Sequence, residues 1–259
     1  VVWKRGSFLY TGFLLFSWAG SLVAQDGAVS GLPFGVGEEL VYQVRSNRFG
    51  KIGDGTMRVE GPDLVRGHAA YLLHFEVDGR VGPFKIADLT RSWLDPARFA
   101  ALRYEKTERH PLSKRREEVE LFPSELRWSD RDGEGGELVS DDPLDELSFI
   151  YLLRTLDFGD SDELSISRHY QAERNPVVVR LVGREEVSLP TGLLSTLVIE
   201  MEVRDGKRFG GSGLIKLHLT DDLQRYPVRI ETTMPVVGTL VLDLVSLTPG
   251  HIEEGVVSR

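Results

Sequence analysis

The sequence predicts an all-β protein with one long helix, its antiparallel sheet curving into a barrel or half-barrel around that helix. Three observations carry the prediction: hydrophobicity of period two along most of the chain, turn signals about every ten to fifteen residues, and one apolar segment that breaks both patterns.

In chain order, the first two dozen residues read as a secretory signal. Lys4 and Arg5 form a charged start, Phe8 to Ala19 an apolar stretch, and Leu22-Val23-Ala24 a cleavage site before Gln25. The apolar run is shorter than the roughly 20 residues a membrane helix needs. The alternative is an uncleaved N-terminal anchor. Cleavage makes the mature protein periplasmic or secreted and not integral to a membrane. Residues 25–35 then read as a flexible lead, 36–248 as a single β domain and 249–259 as a tail.

Within the domain, Leu40, Tyr42 and Val44 alternate with Val41, Gln43 and Arg45, and Tyr71, Leu73, Phe75 and Val77 alternate with Leu72, His74, Glu76 and Asp78. Later, Leu197, Ile199, Met201 and Val203 oppose Val198, Glu200, Glu202 and Arg204, and Ile215, Leu217 and Leu219 oppose Lys216, His218 and Thr220, which read as outward residues. One buried and one wet face is the mark of antiparallel sheet. Turns are expected at Gly53-Asp54-Gly55, Asp78-Gly79, Asp95-Pro96, Asp132-Gly133 and Pro190-Thr191-Gly192. The eleven to thirteen strands expected between such turns are too many for a flat sheet. Two stretches, Asp95 to Tyr104 and Asp221 to Ile230, echo one another: an acidic turn leads each time into a strand with Arg among apolar residues.

The interruption runs from Asp142 to Gly159. Asp142 is the expected N-cap, Pro143 the first helical residue, Asp145 and Glu146 the acids of the first turn, and Gly159 the stop. A helix near 143–157 spans about 21 Å at 1.5 Å per residue. Phe149, Leu152, Leu153 and Leu156 spread its apolar surface over most of the circumference, so it is expected to be largely buried.

Composition narrows the chemistry. The 259 residues carry 31 basic and 40 acidic side chains, a net charge of −9, which argues against nucleic acid as a partner. With no cysteine, the chain has no thiol catalysis, no thiolate metal site and no lipid-anchoring cysteine. The six histidines show no metal-ligand spacing, and no glycine cluster has a dinucleotide, phosphate-loop or nucleophile-elbow pattern, so no metal, cofactor or catalytic residue is assigned. Paired carboxylates are the remaining enzymatic option. Asp221-Asp222 and Asp141-Asp142 read as a turn and a helix cap, with Arg229 expected to pair with the first and Arg103 with Asp95.

Five stretches resemble a known family: Gly37-Glu38-Glu39-Leu40-Val41-Tyr42, the Asp142-Pro143-Leu144 segment with Arg154, Leu189 to Thr196, Leu219-Thr220-Asp221-Asp222 to Tyr226-Pro227-Val228-Arg229-Ile230, and Gly238-Thr239-Leu240. Together they are similar to the exported bacterial domain-of-unknown-function family three-one-zero-eight, over roughly residues 35 to 248. That resemblance implies an exported compartment and this fold, with no agreed activity. More loosely, one helix in a curved sheet is similar to the LolA and LolB lipoprotein carriers, which hold acyl chains between sheet and helices.

The functional expectation is therefore a non-catalytic exported protein that binds a lipid or other apolar ligand, or assists envelope assembly. Tyr42, Phe75, Trp93, Phe149, Tyr151 and Leu153 are the candidate cavity lining, while Asp142, Arg154, Asp221, Asp222, Pro227 and Arg229 form the structural motif. Two alternatives stay open. One is an envelope glycan or lipid hydrolase using Asp221 or Asp222; the other is a structural partner of a cell-envelope protein complex, joined through a sheet edge.

Overall fold

The structure is a computed structural model describing residues 31–110, 113–205, 211–234 and 238–251. The expected signal, the first part of the lead and the tail beyond residue 251 lie outside the described residues.

Among the described residues eight strands precede the helix: β1 (Glu39–Ser46), β2 (Gly50–Val65), β3 (His68–Val81), β4 (Phe84–Asp95), β5 (Ala100–His110), β6 (Ser113–Phe122), β7 (Arg127–Asp130) and β8 (Gly135–Glu137). After α1 (Glu146–Leu153) come β9 (Glu163–Ile166), β10 (Val177–Leu189), β11 (Gly192–Asp205), β12 (Gly211–Thr220), β13 (Pro227–Met234) and β14 (Gly238–Thr248). These described strands form one antiparallel sheet in the order β8 to β1, then β14 down to β9. Every neighbour is consecutive in the chain except β1 and β14, so the sheet is a meander in two halves joined along that pair. It is not closed. Its edges, β8 and β9, face the break at which the chain inserts α1.

Short edges explain the opening. β8 and β9 have three and four residues. The segments flanking α1 pair with each other instead: Leu144 N–H donates to the Arg168 carbonyl at 2.6 Å, and Tyr170 N–H to the Leu144 carbonyl at 3.0 Å.

That pairing also shortens the helix. Pro143 and Leu144 are held extended, the Pro143 carbonyl accepting from Ala101 N–H at 2.8 Å, and α1 starts at Glu146 rather than at Pro143. Asp145, not Asp142, is the N-cap. Its Oδ1 accepts from Leu147 N at 2.9 Å and Ser148 N at 3.0 Å, while Ser148 Oγ accepts from Asp145 N at 2.9 Å, a reciprocal capping box. Asp142 instead pairs with Arg168 at 3.0 Å. Eight residues span about 12 Å, and Leu147 to Leu153 are all buried as expected.

Two expected turns are not turns. Gly53-Asp54-Gly55 and Asp78-Gly79 lie inside β2 and β3, where Gly53 faces Gly79. A Cβ on Gly53 would stand 2.1 Å from the Asp78 carbonyl oxygen, so glycine serves close approach of two backbones there. The lead is also docked from its last residues: Phe34 is buried and packs edge-on to Tyr151 at 4.8 Å. His251 N–H donates to the Val36 carbonyl at 2.9 Å, so the start of the tail is pinned as well.

Candidate functional site

Alternation along each strand decides what faces the concave side. β1, β2, β3, β13 and β14 direct Val44, Ile52, Phe75, Ile230 and Leu242 inward, whereas β4 and β5 direct Asp88, Thr90, Lys106 and Glu108 to the same space. Between these walls and α1 lies a cavity of about 200 Å³, floored by Glu146, Leu147 and Ile150. That exceeds the roughly 150 Å³ of an apolar cavity able to hold benzene and falls below the roughly 300 Å³ at which drug-sized sites begin. One wall is aliphatic and the other charged, which suits a molecule with an alkyl segment and a polar end.

The charged wall is organised around Glu146. Its Oε1 accepts from Arg174 Nη1 at 2.7 Å, and its Oε2 accepts from Tyr104 Oη at 3.1 Å and from Lys106 Nζ. Lys106 also pairs with Glu108 at 3.4 Å. Burial alone would raise the Glu146 pKa, but the two cations beside it outweigh burial and hold the carboxyl well below the usual range. Behind this group, His169 stacks between Phe149 and Tyr170, with ring centroids at 6.1 and 5.0 Å. Burial, then the Arg174 charge, push its pKa down to about 3, so the ring is neutral. Its Nδ1 accepts from Gln171 N–H at 3.0 Å. Asp145 is shifted oppositely: burial raises it to about 6 against the opposing bonds from Ser92, Ser148 and Leu147.

Of the six expected lining residues, the structure places Phe75 on the cavity wall. Tyr42 lies in the core, its hydroxyl donating to the Pro227 carbonyl at 2.7 Å. Phe149 turns to His169, Tyr151 to Phe34, and Leu153 into the core. Trp93 is part of a separate cluster with Val65, Ala70 and Leu102, because Ser92 and Leu94 on either side of it take the inner face. The residues missed, Lys106, Glu108 and Asp88, are polar strand residues to which the sequence assigned no role. Their signal was parity with Tyr104 on β5 and with Ser92 on β4.

Arg154 caps α1 and is wholly buried against Glu38, with Nη1 to Oε1 at 2.6 Å and Nη2 to Oε2 at 2.9 Å. Asp222 Oδ1 accepts from Gln224 N at 3.0 Å, Arg225 N at 2.8 Å and Thr220 Oγ1 at 2.7 Å, while Asp221 pairs with Arg184 at 2.7 Å. Arg229 does not reach that turn; it pairs with Asp243 at 2.5 Å, across the β13–β14 ladder. Arg103 pairs with Glu120 at 2.5 Å rather than with Asp95, whose Oδ1 caps its own turn by accepting from Ala97 N at 2.9 Å. His218, expected outward, is on the outer face but only 2% exposed, covered by Thr196 and by Glu231 at 3.2 Å.

Among the described residues no group of His, Asp and Glu is placed to hold a metal ion, and no helix is long and apolar enough to cross a membrane. Among curated proteins none matches the chain. A β-barrel-like protein of domain of unknown function DUF1849 from Brucella abortus is similar at TM-score 0.58 and 10% identity, covering 84% of this chain and 99% of that one. A Bacteroides fragilis protein with a YmcC-like fold aligns at TM-score 0.31 and 9% identity, over 85% of this chain and 99% of that one. The first likeness shows a barrel-like fold. The model of a family described as protein of unknown function, DUF3108, matches residues 41–245, and with that match spanning most of its length the chain belongs to the DUF3108 family.

Proposed function

We propose that this protein is an exported, non-catalytic carrier or sensor for a lipid-like ligand, held between α1 and the concave sheet. The observation that carries the reading is the cavity of about 200 Å³, aliphatic on one side and charged on the other. The secretory pattern of the first 24 residues supports the compartment. A ligand of this kind seats an alkyl segment against Val44, Phe75, Ile230 and Leu242, and sets a polar end against the β4 and β5 side chains.

The test is native mass spectrometry of the chain exported to a bacterial periplasm, followed by solvent extraction and lipid analysis. A stoichiometric adduct that releases lipid is expected, and Ile230→Trp, which fills the cavity, is expected to remove it. An adduct that survives Ile230→Trp places the ligand elsewhere. Asp222→Asn is expected to cost about 1 kcal/mol of stability and to leave the adduct intact; loss of an envelope glycan- or lipid-cleaving activity in that variant, with the fold unchanged, overturns the non-catalytic reading.

A further inference from the structure

The cavity lies in the half of the sheet nearest one set of hairpins. Ladder register puts three consecutive hairpins at that end: Ser46 pairs with Gly50, Val81 with Phe84 and His110 with Ser113. Gly53 opposite Gly79 and Ala87 opposite Arg109 set them at nearly one level. Two of the hairpins carry an aromatic ring in water, Phe49 at 51% and Phe84 at 53% exposure. With neighbouring strands about 4.8 Å apart, hairpins two strands along the sheet sit about 10 Å from each other.

Basic residues surround both rings. Arg48 and Lys51 bracket Phe49; Arg80 and Lys85 bracket Phe84; Arg109, Lys114, Arg115 and Arg116 flank the third hairpin, and all eight are exposed. The acids nearest them lie further down the strands: Glu117 against Arg115 at 3.1 Å, Glu118 against Arg116, and Asp54 against Lys51 at 3.1 Å and Asp78 against Lys85 at 3.0 Å, the last two in pairs more than half exposed. Such pairs leave the tip cationic toward solvent. In a chain of net charge −9, this end runs against the whole. At the opposite end Leu193 and Leu223 are 64% and 87% exposed, but there the charges are mixed, as in the Arg184–Asp221 pair.

We propose that this hairpin end docks on an anionic lipid surface, with Phe49 and Phe84 entering the headgroup region and the surrounding arginines and lysines facing phosphates. An aromatic ring suits the boundary of a bilayer, and each basic side chain near an anionic leaflet strengthens partitioning about fivefold. Docking in this pose turns the cavity half of the sheet toward the membrane. It does not depend on the cavity being loaded.

Cosedimentation of the full chain with vesicles tests it, comparing phosphatidylcholine alone with an equal mixture of phosphatidylcholine and phosphatidylglycerol. The N-terminal apolar segment is common to every variant, so differences between variants report the hairpin end. Binding is expected to the anionic vesicles and to fall with salt as the Debye length shortens. Arg80→Gln with Lys85→Gln is expected to lower the partition coefficient by roughly 20- to 30-fold. Phe49→Ser with Phe84→Ser is also expected to lower it, whereas Leu193→Ser with Leu223→Ser leaves it unchanged, circular dichroism establishing that each variant folds. Ile230→Trp, which blocks the cavity, is expected to bind vesicles normally, so docking and ligand binding fail separately. Equal binding to both vesicles, indifference to the hairpin variants, or an equal loss in the leucine control overturns the proposal. So does binding to DNA-cellulose matching that to vesicles with the phenylalanine variants silent, the behaviour of a general polyanion binder.

Discussion

Arg154 is the side chain that joins the C-terminus of α1 to distant parts of the chain. Its guanidinium is fully buried, ion-paired with Glu38, bonded to the carbonyls of Pro33 at 2.8 Å and Gln224 at 3.0 Å, and within 5.5 Å of the Phe34, Tyr151 and Tyr226 rings. It ties the helix C-terminus to the lead, to the residue just before β1 and to the β12–β13 turn. Removing either partner strands a buried charge, so Arg154→Met or Glu38→Gln is expected to cost about 3–5 kcal/mol. The double variant should cost less than the sum, as measured by urea denaturation in a double-mutant cycle; additive losses would show that the two side chains act independently. Asp145 makes a pH prediction. Its pKa is raised to about 6 from 3.8, so the native state holds the proton more tightly than the unfolded chain between those values. Stability from this group is present at low pH and lost as pH rises through about 6. Asp145→Asn keeps the cap and removes the titration. Its stability relative to the parent is therefore expected to improve from pH 4 to pH 7, by up to about 3 kcal/mol, and a pH-independent difference would rule out the shift.

Single elements show where local rules prevailed and where neighbours overrode them. Gly53 and Gly79 signal a turn to local reasoning, yet they are a cross-strand pair. Gly53→Ala forces a Cβ to within 2.1 Å of a carbonyl oxygen, while at Gly55 the nearest such atom is 3.4 Å away. Thermal unfolding should show Gly53→Ala destabilised by about 1–3 kcal/mol and Gly55→Ala by clearly less. Equal costs would mean that the strands part to make room. The echo between Asp95 to Tyr104 and Asp221 to Ile230 is real at this scale. In both turns an aspartate oxygen accepts two backbone N–H groups, and a non-glycine residue, Phe99 or Arg225, takes a positive φ of 51° or 46°. The helix was legible as a buried apolar segment with a capped start. Its first turn was not, because Pro143 and Leu144 are engaged by Ala101 and by residues 168 to 170, far away in the chain.

For the whole molecule, the meander makes nearly every contact between strands local and leaves one long-range seam, the β1–β14 ladder, to unite the halves. Hydrogen exchange is expected to be slowest along that seam and fastest in the short edges β8 and β9. Early exchange of β1 would show that the halves open separately. The break between the edges is covered by the segments around α1 instead of a ladder, which is why the sheet is barrel-like without closing.

By itself the sequence determined the all-β class, the antiparallel pairing, the single helical interruption and the family, because period-two alternation and turn chemistry are local properties of the chain. It also named Asp142, Arg154, Asp221, Asp222, Pro227 and Arg229 as a structural motif, whose partners the chain's alternation could not supply. Only the tertiary structure decided which face of β4 and β5 is inside. Alternation groups Tyr104, Lys106 and Glu108 on one side of β5 but says nothing of what covers that side. Their charges become an inner wall because Glu146 of α1 and Arg174, supplied by distant segments, neutralise them there. For the same reason the aromatic residues expected to line a cavity are largely core: Tyr42, Phe149 and Tyr151 meet partners from remote parts of the chain, and the space left over falls where aliphatic strands face charged ones.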